Sequence, residues 1–412
     1  MTNKISRSLI FSIIAFFLLS NQSTFGQFDR IERGRVKDML KTVVKQIEKN
    51  YYDPNFHGID LEAREKLANE KLDNATSLGQ AFGIIAQLFL DFNDSHLVFY
   101  PPDRAMTIEY GWRIIMVGDK CFVSAVKPES DAHKKGLKTG DQVLSVNGFR
   151  PTRNEMWKME YFYYALSPQS KVNLAVQSPN EEPRELIVET KVKNLKRVTD
   201  LTSDMGINEY LRDMNSDNES SYHRFFSIGG VAIWRMPSFS FDPMQVRQIM
   251  KERISGNRGL IIDLRDNGGG YIDTLKEIAG FLFEKDIKIA DIKRREIKEN
   301  EEMIGKSKGE NTFGGKIVVL IDSKSGSSSE LLARLMQIEK RGTVIGDVSA
   351  GAVMQSRFYS NKLGVNKQVF YGASITNADL IMTDGKSLEH VGVTPDELIL
   401  KSADDLANER DP

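Results

Sequence analysis

The sequence has a single cysteine, Cys121, and only five histidines among 412 residues. One cysteine cannot form a disulfide within the chain, and structural zinc or iron–sulfur sites built on several cysteines are excluded. No two histidines lie three or four residues apart, so the helical metal-binding motif is absent as well. We therefore expect neither a metal site nor a cofactor.

An excess of positive charge is also lacking, since 56 Lys and Arg stand against 57 Asp and Glu, a net charge of -1. Nucleic-acid-binding proteins usually carry a basic surplus, so no nucleic-acid partner is expected.

Long hydrophobic runs are missing too. The one apolar stretch, residues 9–19, is shorter than the roughly 20 residues that a membrane-spanning helix needs. Lys4 and Arg7 precede it and polar residues follow, which is typical of a signal peptide over residues 1–26. We expect an exported protein, periplasmic or secreted, without a stable membrane anchor.

The length predicts two or three domains at about 150 residues each. Apolar residues recur at helical spacing over 30–50, and Ser77 is a candidate N-cap for a further helix. Short strands and turns dominate the next part of the chain, a polar stretch follows, and strands then alternate with helices. We expect five segments: signal peptide 1–26, helical region 27–106, β-rich domain 107–192, linker or insertion 193–225, and α/β domain 226–412.

Residues 107–192 carry a short helix closed by glycine at 131–137, then Gly140-Asp141 and Asn147-Gly148 turns. This order of turns resembles a PDZ domain. The resemblance implies that the loop Tyr110-Gly111-Trp112-Arg113 binds the carboxylate of a peptide C-terminus through backbone N–H groups. The alternative is a domain that only gates or supports another site.

A serine-rich turn follows the buried strand predicted at 317–321, and a helix begins behind it. A serine in such a turn lies at a helix N-terminus, where backbone N–H groups and the helix dipole stabilise an oxyanion. The alternative is that the serines only cap the helix, with Glu330 in its first turn.

A glycine-rich turn, Asp263-Leu264-Arg265-Asp266-Asn267-Gly268-Gly269-Gly270, follows another predicted strand. Its three glycines allow close approach of the backbone to a substrate. Neither phosphate-binding glycine pattern is present. Asp263 and Arg265 are expected to form a structural ion pair.

Together, the two turns resemble the C-terminal processing (tail-specific) serine peptidase family, in which a PDZ domain usually precedes them. The resemblance extends over nearly the whole chain after residue 26. It implies an α/β catalytic core of ClpP/crotonase-like type, with Ser327, three residues before Glu330, as the nucleophile.

The position at which many members of this family carry a lysine base is Ala352 here. The Ser-His-Glu branch, which includes the tricorn protease core, instead has a Ser-His pair before the PDZ domain and a C-terminal Glu-x-x-Gly-Val-x-Pro-Asp motif. Ser95-His96 and the segment beginning at Glu389 match these. This resemblance implies that His96 is the general base, that Glu389 orients it, and that Ser95 supports them.

The oxyanion hole implied by the family combines the N–H of Ser328 with that of Gly269 or Gly270.

Two alternatives to His96 as the base stay open. His96 is then a half-buried histidine with a structural role only, or His390 is the base instead. Ser307 lies in a Gly-x-Ser-x-Gly pattern, but no buried strand precedes it, so we reject it as a nucleophile.

We therefore predict an exported serine endopeptidase that cleaves peptides or protein C-terminal regions through an acyl-enzyme. Its partner is a peptide or protein substrate, engaged through the substrate C-terminus if the PDZ-like loop binds it; the oligomeric state is left open. The competing prediction is an inactive homologue of the same fold that binds a peptide or a lipophile. A crotonase-like acyl-CoA enzyme is disfavoured, because an exported protein would not meet coenzyme A.

Overall fold

The computed structural model describes residues 28–102, 106–194, 223–364 and 368–412. The predicted signal peptide, 1–26, lies outside the described residues, and so does most of the predicted linker 193–225. No helix in the described ranges has the length and apolar character needed to cross a membrane.

The N-terminal region is helical, as predicted. Asp29 and Glu32 form a capping box at the start of the first helix, and Ser77 accepts a hydrogen bond from the Gln80 N–H at the start of the third. The elements are α1 (Arg30–Asn50), a single 3₁₀ turn (Phe56–Gly58), α2 (Leu61–Asp73), α3 (Leu78–Leu90) and the short strand β1 (Val98–Tyr100).

The next region is a small β-domain with two helices, and its core includes Cys121, Val123 and Leu174. Strands β3 to β7 form an antiparallel sheet in chain order, and β2 pairs with β8. The elements are β2 (Met106–Glu109), β3 (Trp112–Val117), β4 (Lys120–Val126), α4 (Asp131–Lys134), β5 (Gln142–Val146), α5 (Arg153–Tyr161) with a π turn (Phe162–Leu166), β6 (Lys171–Gln177), β7 (Arg184–Glu189) and β8 (Lys191–Asn194).

The C-terminal region alternates strands with helices and then adds a long hairpin. Its first part contains β9 (Arg224–Ile228), β10 (Val231–Arg235), α6 (Pro243–Ile249) with a π turn (Met250–Ile254), β11 (Gly259–Asp263), α7 (Ile272–Leu282), β12 (Ile287–Arg294), a 3₁₀ turn (Ile297–Glu299) and β13 (Glu301–Gly305). The rest contains a 3₁₀ turn (Gly309–Asn311), β14 (Lys316–Ile321), α8 (Ser328–Ile338), β15 (Thr343–Gly346), β16 (Met354–Leu363), β17 (Val369–Met382), β18 (Glu397–Leu398) and α9 (Ala403–Ala407).

A six-stranded sheet in the order β18-β15-β14-β11-β10-β9 carries this region, and all its pairs are parallel except β10 with β9. Asp263, the last residue of β11, is in register with Leu320 of β14. The chain therefore leaves both strands at the same edge of the sheet. In open parallel sheets this carboxyl edge is where ligands bind.

A second sheet joins the N-terminal helical region to the C-terminal region. The long strand β17 pairs with β16, β12 and also β1, where Val98 is in register with Ser374. The helical region packs on this sheet, so that Val43 and Ile47 share a core with Ala373 and Ile375. The segment just before β1, which contains Ser95 and His96, is thereby brought to the C-terminal region.

Candidate active site

Ser327 is the point at which the chain turns from β14 into α8. Its backbone has φ 54° and ψ −117°, a conformation that L-residues rarely adopt and that costs about 1–3 kcal/mol. Residues 325–330 are all buried except Ser327, which is half-exposed. Strain concentrated at one accessible side chain is typical of a functional position.

The other serines of this turn have a structural role. The hydroxyls of Ser325, Ser328 and Ser329 donate to carbonyl oxygens of the glycine-rich turn 264–270 at 2.8–3.0 Å. Among the described hydrogen bonds to that turn's carbonyls, none comes from the hydroxyl of Ser327. These three hydroxyls therefore bind the glycine-rich turn and do not cap α8. Ser327 itself occupies the N-cap position of α8, and the Glu330 side chain accepts its N–H at 3.0 Å.

The glycine-rich turn lies directly against the serine. A Cβ atom on Gly269 would lie 2.6 Å from Cβ of Ser327 and 3.0 Å from N of Ser328, so only glycine fits there. Asn267 is fully buried, and its side chain makes two hydrogen bonds. Its amide donates to the carbonyl of Met236, which lies outside the turn, at 2.7 Å. Its Oδ1 accepts the N–H of Gly269 at 2.9 Å.

That last contact bears on the predicted oxyanion hole. The N–H of Gly269 is already engaged, whereas the backbone N–H groups of Ser328 and Gly270 donate no hydrogen bond among the described residues. Ser328 begins α8, so its N–H also lies at the positive end of the helix dipole. The geometry therefore favours Gly270 over Gly269 as the partner of Ser328.

Asp94 holds the backbone of His96 in place. Its buried carboxylate accepts the N–H groups of His96 and Leu97 at 2.9 and 3.1 Å. It also accepts the hydroxyls of Thr376 and Tyr51 at 2.7 and 2.8 Å. Because Thr376 belongs to β17, this carboxylate fixes the histidine segment to the second sheet.

Ser95, His96 and Glu389 meet in one hydrogen-bonded chain. The Ser95 hydroxyl lies 2.9 Å from Oε2 of Glu389 and 2.8 Å from Nδ1 of His96, and the Ser95 N–H donates to Oε1 at 2.9 Å. A carboxylate only accepts, so the single Ser95 proton points to Glu389 and the hydroxyl oxygen accepts from His96. Nδ1 therefore carries the proton, and Nε2 is left with the free lone pair that a general base needs.

The imidazole environment favours the neutral ring. Burial lowers the pKa of His96 below its ordinary value of 6.5, although the charges of Glu389 and Asp94 partly oppose this. At neutral pH the ring is therefore unprotonated and able to accept a proton.

A segment that we call the bridging loop, residues 347–353, connects Ser327 to this chain. The Ser327 N–H donates to the Ala352 carbonyl at 2.9 Å, and the N–H of Val353 donates to Oε2 of Glu389 at 2.8 Å. The nucleophile candidate and the carboxylate candidate thus contact adjacent residues of one loop. Within the described residues, Ser327 and His96 are not hydrogen-bonded to each other.

Two other bases are less suitable. His390 Nε2 lies 2.5 Å from the Asn93 carbonyl and 3.4 Å from Glu389, and no hydrogen bond in the described ranges joins it to Ser327. Lys324 lies 3.5 Å from Glu160. Burial opposes the charge of Lys324, but nearby carboxylates outweigh it and raise the pKa, so the ammonium stays protonated. Ala352 offers no side-chain base.

A cavity of about 380 Å³ opens beside Glu389. Its lining is mixed: acidic and histidine side chains, among them Asp379, Glu389 and His390, lie beside apolar and aromatic ones, namely Tyr52, Ile59, Phe92 and Met354. In the described part of the chain, no cluster of three His, Cys, Asp or Glu residues is arranged to hold a metal ion.

The predicted carboxylate-binding loop lies at the start of β3. The Tyr110 side chain is buried and its hydroxyl donates to the Tyr163 carbonyl at 2.8 Å. The Gly111 carbonyl accepts the N–H of Lys127 at 2.9 Å, and the buried indole N–H of Trp112 has no hydrogen-bond partner among the residues that the structure describes. Arg113 follows within β3.

The expected ion pair between Asp263 and Arg265 is present, with contacts of 2.7 and 2.8 Å. The sequence analysis gave no role in the site to three buried groups around it, namely Asp94, Asn267 and Glu330. Asp94 and Asn267 precede backbone N–H groups by two residues, which is the spacing of an Asx turn and was the available signal. Glu330 was noticed only as a capping residue.

Comparison with known proteins places these features in a context. Residues 230–399 match Peptidase family S41, and residues 106–177 match the PDZ domain family. The carboxyl-terminal-processing protease of Picosynechococcus sp. is 21% identical over 375 residues, which cover 88% of this chain and 83% of that protein. Carboxy-terminal processing protease CtpB of Bacillus subtilis is 23% identical over 309 residues, 70% of this chain and 58% of that protein.

The fold is similar to that of a solved structure, mature CPAF. The two share 14% sequence identity at a TM-score of 0.66, over 91% of this chain and 94% of that one.

Proposed function

Because the chain is a serine peptidase of the C-terminal processing family, with its family S41 region at residues 230–399 and a PDZ domain at 106–177, we propose that it is an exported endopeptidase. It cleaves peptides or protein C-terminal regions through an acyl-enzyme formed on Ser327. The proposal includes the predicted signal peptide, the segment boundaries 27–106, 107–192 and 226–412, and the ClpP/crotonase-like character of the catalytic core.

The observation that carries the proposal is the Glu389–Ser95–His96 hydrogen-bond chain, because it fixes the tautomer that a general base requires. Ser327 Oγ attacks the scissile carbonyl while Nε2 of His96 accepts its proton. The imidazolium keeps its Nδ1–H hydrogen bond to the Ser95 hydroxyl, which in turn donates to Glu389. Through this chain the negative charge of Glu389 stabilises the positive ring. The N–H groups of Ser328 and Gly270 stabilise the oxyanion.

Collapse of the tetrahedral intermediate breaks the peptide C–N bond, and His96 returns the proton to the leaving amine. A water molecule then attacks the acyl-enzyme, with His96 again accepting the proton. This hydrolysis releases the new carboxylate and restores the Ser327 hydroxyl.

The substrate is an extended polypeptide. A PDZ domain adds such a peptide as a strand and captures its terminal carboxylate with backbone N–H groups. We assign this role to the loop Tyr110-Gly111-Trp112-Arg113, which would deliver the region near the substrate C-terminus to Ser327.

An inactive binding homologue is the second candidate, and Ala352 in the lysine position is the observation that favours it. The cavity beside Glu389 has carboxylates next to apolar side chains, so its lining does not decide between a peptide and a lipophile as the ligand of this candidate.

A fluorophosphonate probe separates the two candidates, because it bonds covalently to an activated serine. We expect labelling of the full chain at pH 8, its loss in Ser327→Ala, and its retention in Ser307→Ala, which alters a half-buried serine in the Gly-x-Ser-x-Gly segment. Labelling should fall at acid pH as His96 becomes protonated. Absence of labelling in the unaltered chain at every pH would favour the binding protein.

A further inference from the structure

Glu330 is a buried carboxyl group that makes four hydrogen bonds. Its Oε2 accepts the N–H groups of Ser327 and Ala352 at 3.0 and 2.9 Å. Its Oε1 accepts the Ser349 hydroxyl at 2.5 Å and the N–H of Gly351 at 2.7 Å. One side chain thus binds the serine turn on one side and the bridging loop on the other.

The bridging loop also binds the segment that contains Glu389. The Gly351 carbonyl accepts the N–H of His390 at 2.8 Å, and the Ser349 hydroxyl accepts the N–H of Val393 at 2.6 Å. Val353, the last residue of the loop, donates to Glu389. The position of the Glu389 segment relative to Ser327 therefore depends on the loop that Glu330 holds.

We infer that Glu330 is a positioning residue for the proposed peptidase reaction: its ionised carboxylate holds Ser327 and the bridging loop in the reactive arrangement, and protonation of the carboxyl weakens these contacts. This inference rests on the proposed function, since it takes Ser327 as the nucleophile.

The hydrogen-bond partners explain why the two protonation states differ. All four contacts are donors, and the three backbone N–H groups cannot accept a proton. A protonated Glu330 can donate only to Ser349, whose hydroxyl already accepts from Val393 and would have to turn away its own proton. Protonation therefore removes or weakens at least one of the contacts.

The group titrates in the range where this matters. Burial raises the pKa of Glu330 to about 7, even though its four hydrogen bonds act in the opposite direction. Above that pH the carboxylate is ionised and the contacts are complete. Below it the carboxyl is protonated and the nucleophile is less well held. Burial lowers the pKa of His96 and raises that of Glu330, so we expect protonation of Glu330 to reduce activity before protonation of His96 does as the pH falls.

No charged side chain contacts the Glu330 carboxyl among the described residues. The charged groups on the segments packed against it are bound elsewhere. Asp347 pairs with Arg153, Lys324 with Glu160, and Glu389 with Ser95, while His390 contacts Asn93. The Asp322 carboxylate accepts the N–H groups of Asp266 and Lys324.

The test compares the unaltered chain with Glu330→Gln, measuring the rate of fluorophosphonate labelling between pH 5 and 9. In the unaltered chain we expect the rate to begin falling near pH 7. The glutamine amide places a donor opposite two donors, so at pH 8 the rate should fall about 10- to 100-fold. The upper step of the pH profile should vanish, leaving only the step due to His96. Glu277→Gln, which removes a carboxylate paired with Arg247 and Lys308, should change neither the labelling rate at pH 8 nor the pH profile.

Hydrogen exchange of the amides in residues 349–353, corrected for the intrinsic effect of pH, tests the same inference without catalysis. Protection should be high at pH 8, lower at pH 6, and low at both in Glu330→Gln. Should that variant not fold, Ser349→Ala removes one contact and should show an intermediate loss of protection and rate.

The outcomes separate this inference from the proposed function. An unchanged pH profile and unchanged protection in Glu330→Gln, with normal labelling of Ser327, would overturn the inference and leave the peptidase intact. Altered protection in a chain that is never labelled would support the holding role of Glu330 and reject the peptidase.

Discussion

At the scale of single residues, the site depends on how closely the glycine-rich turn approaches Ser327. Gly268 and Gly269 are neighbours, yet their surroundings differ. A Cβ on Gly268 would meet no atom within 4 Å, and its φ is not positive. A Cβ on Gly269 would overlap Cβ of Ser327 at 2.6 Å, with φ at +100°. Two adjacent glycines therefore provide a matched pair of variants.

We expect Gly268→Ala to be labelled by a fluorophosphonate at nearly the unaltered rate. Gly269→Ala should lose at least about 100-fold, because displacement of a reacting group by about 1 Å has that effect. Measuring both rates at pH 8, together with circular dichroism to confirm folding, checks this prediction. Equal rates for the two variants would mean that the reaction of Ser327 does not depend on its close contact with Gly269.

The Glu389–Ser95–His96 chain predicts strong coupling between its first two members. Ser95→Ala removes the hydroxyl through which Glu389 acts on His96, and we expect a fall of about 10²-fold in turnover. Glu389→Gln should have a similar effect. Because both changes break one chain, the double variant should lose little more than either single variant.

Ser95→Thr is the matched control, since it keeps a hydroxyl in place and should retain much of the activity. Turnover of a quenched peptide library by the unaltered chain, the two single variants, the double variant and the Ser95→Thr control, with the pH profile of each, measures the coupling. If the losses of the two single variants multiplied in the double variant, Ser95 would not mediate the action of Glu389.

At the scale of elements, local sequence patterns were sufficient where burial follows a regular period. The helix predicted at 30–50 is present at those residues, and β14 with α8 encloses the serine turn. The hairpin of β16 and β17 was not predicted. Residues 354–363 are mostly polar and only Met354 is buried, so neither alternation nor an apolar run marks the strand. A bulge at Gln355 and Ser356 further disturbs the pattern.

The candidate site was predictable only in part for a similar reason. Ser95 and Glu389 are 294 residues apart in sequence, and no local pattern joins them; the resemblance to a family did so. The choice between Gly269 and Gly270 depends on one side-chain contact from Asn267, for which the spacing of an Asx turn was the one signal in the sequence. The raised pKa of Glu330 comes from burial that outweighs four hydrogen bonds, and this environment exists only in the folded chain.

At the scale of the whole molecule, the PDZ domain and the peptidase region meet at the bridging loop. Arg153, at the start of α5, forms an ion pair with Asp347 and donates to the Val348 carbonyl at 2.8 Å. It also donates to the Gly118 carbonyl at 2.9 Å, and the Gly118 N–H donates back to Asp347. Val348 immediately precedes Ser349, which binds Glu330. The PDZ domain thus contacts the same loop that holds Ser327.

This connection predicts that Arg153→Ala weakens catalysis as well as stability. The buried carboxylate of Asp347 loses its cation, and we expect a loss of about 2 kcal/mol in the free energy of unfolding. The labelling rate of Ser327 should fall too, because residues 347–349 are no longer held. Arg153→Lys keeps the charge but cannot bond three acceptors as a planar guanidinium does. Its stability and its labelling rate should therefore lie between those of the unaltered chain and Arg153→Ala.

Arg184→Ala is the matched control for this prediction. Arg184 forms an ion pair with the buried Asp141 at 2.6 Å, but entirely within the PDZ domain. Both variants should lower the midpoint of urea unfolding, while only Arg153→Ala should slow the labelling of Ser327 under folding conditions. Equal slowing by both would mean that the PDZ domain affects the site through its overall stability. Slowing by Arg153→Ala alone would assign the effect to the contact with the bridging loop, because each variant removes an arginine that pairs with a buried aspartate and only the Asp347 pair reaches that loop.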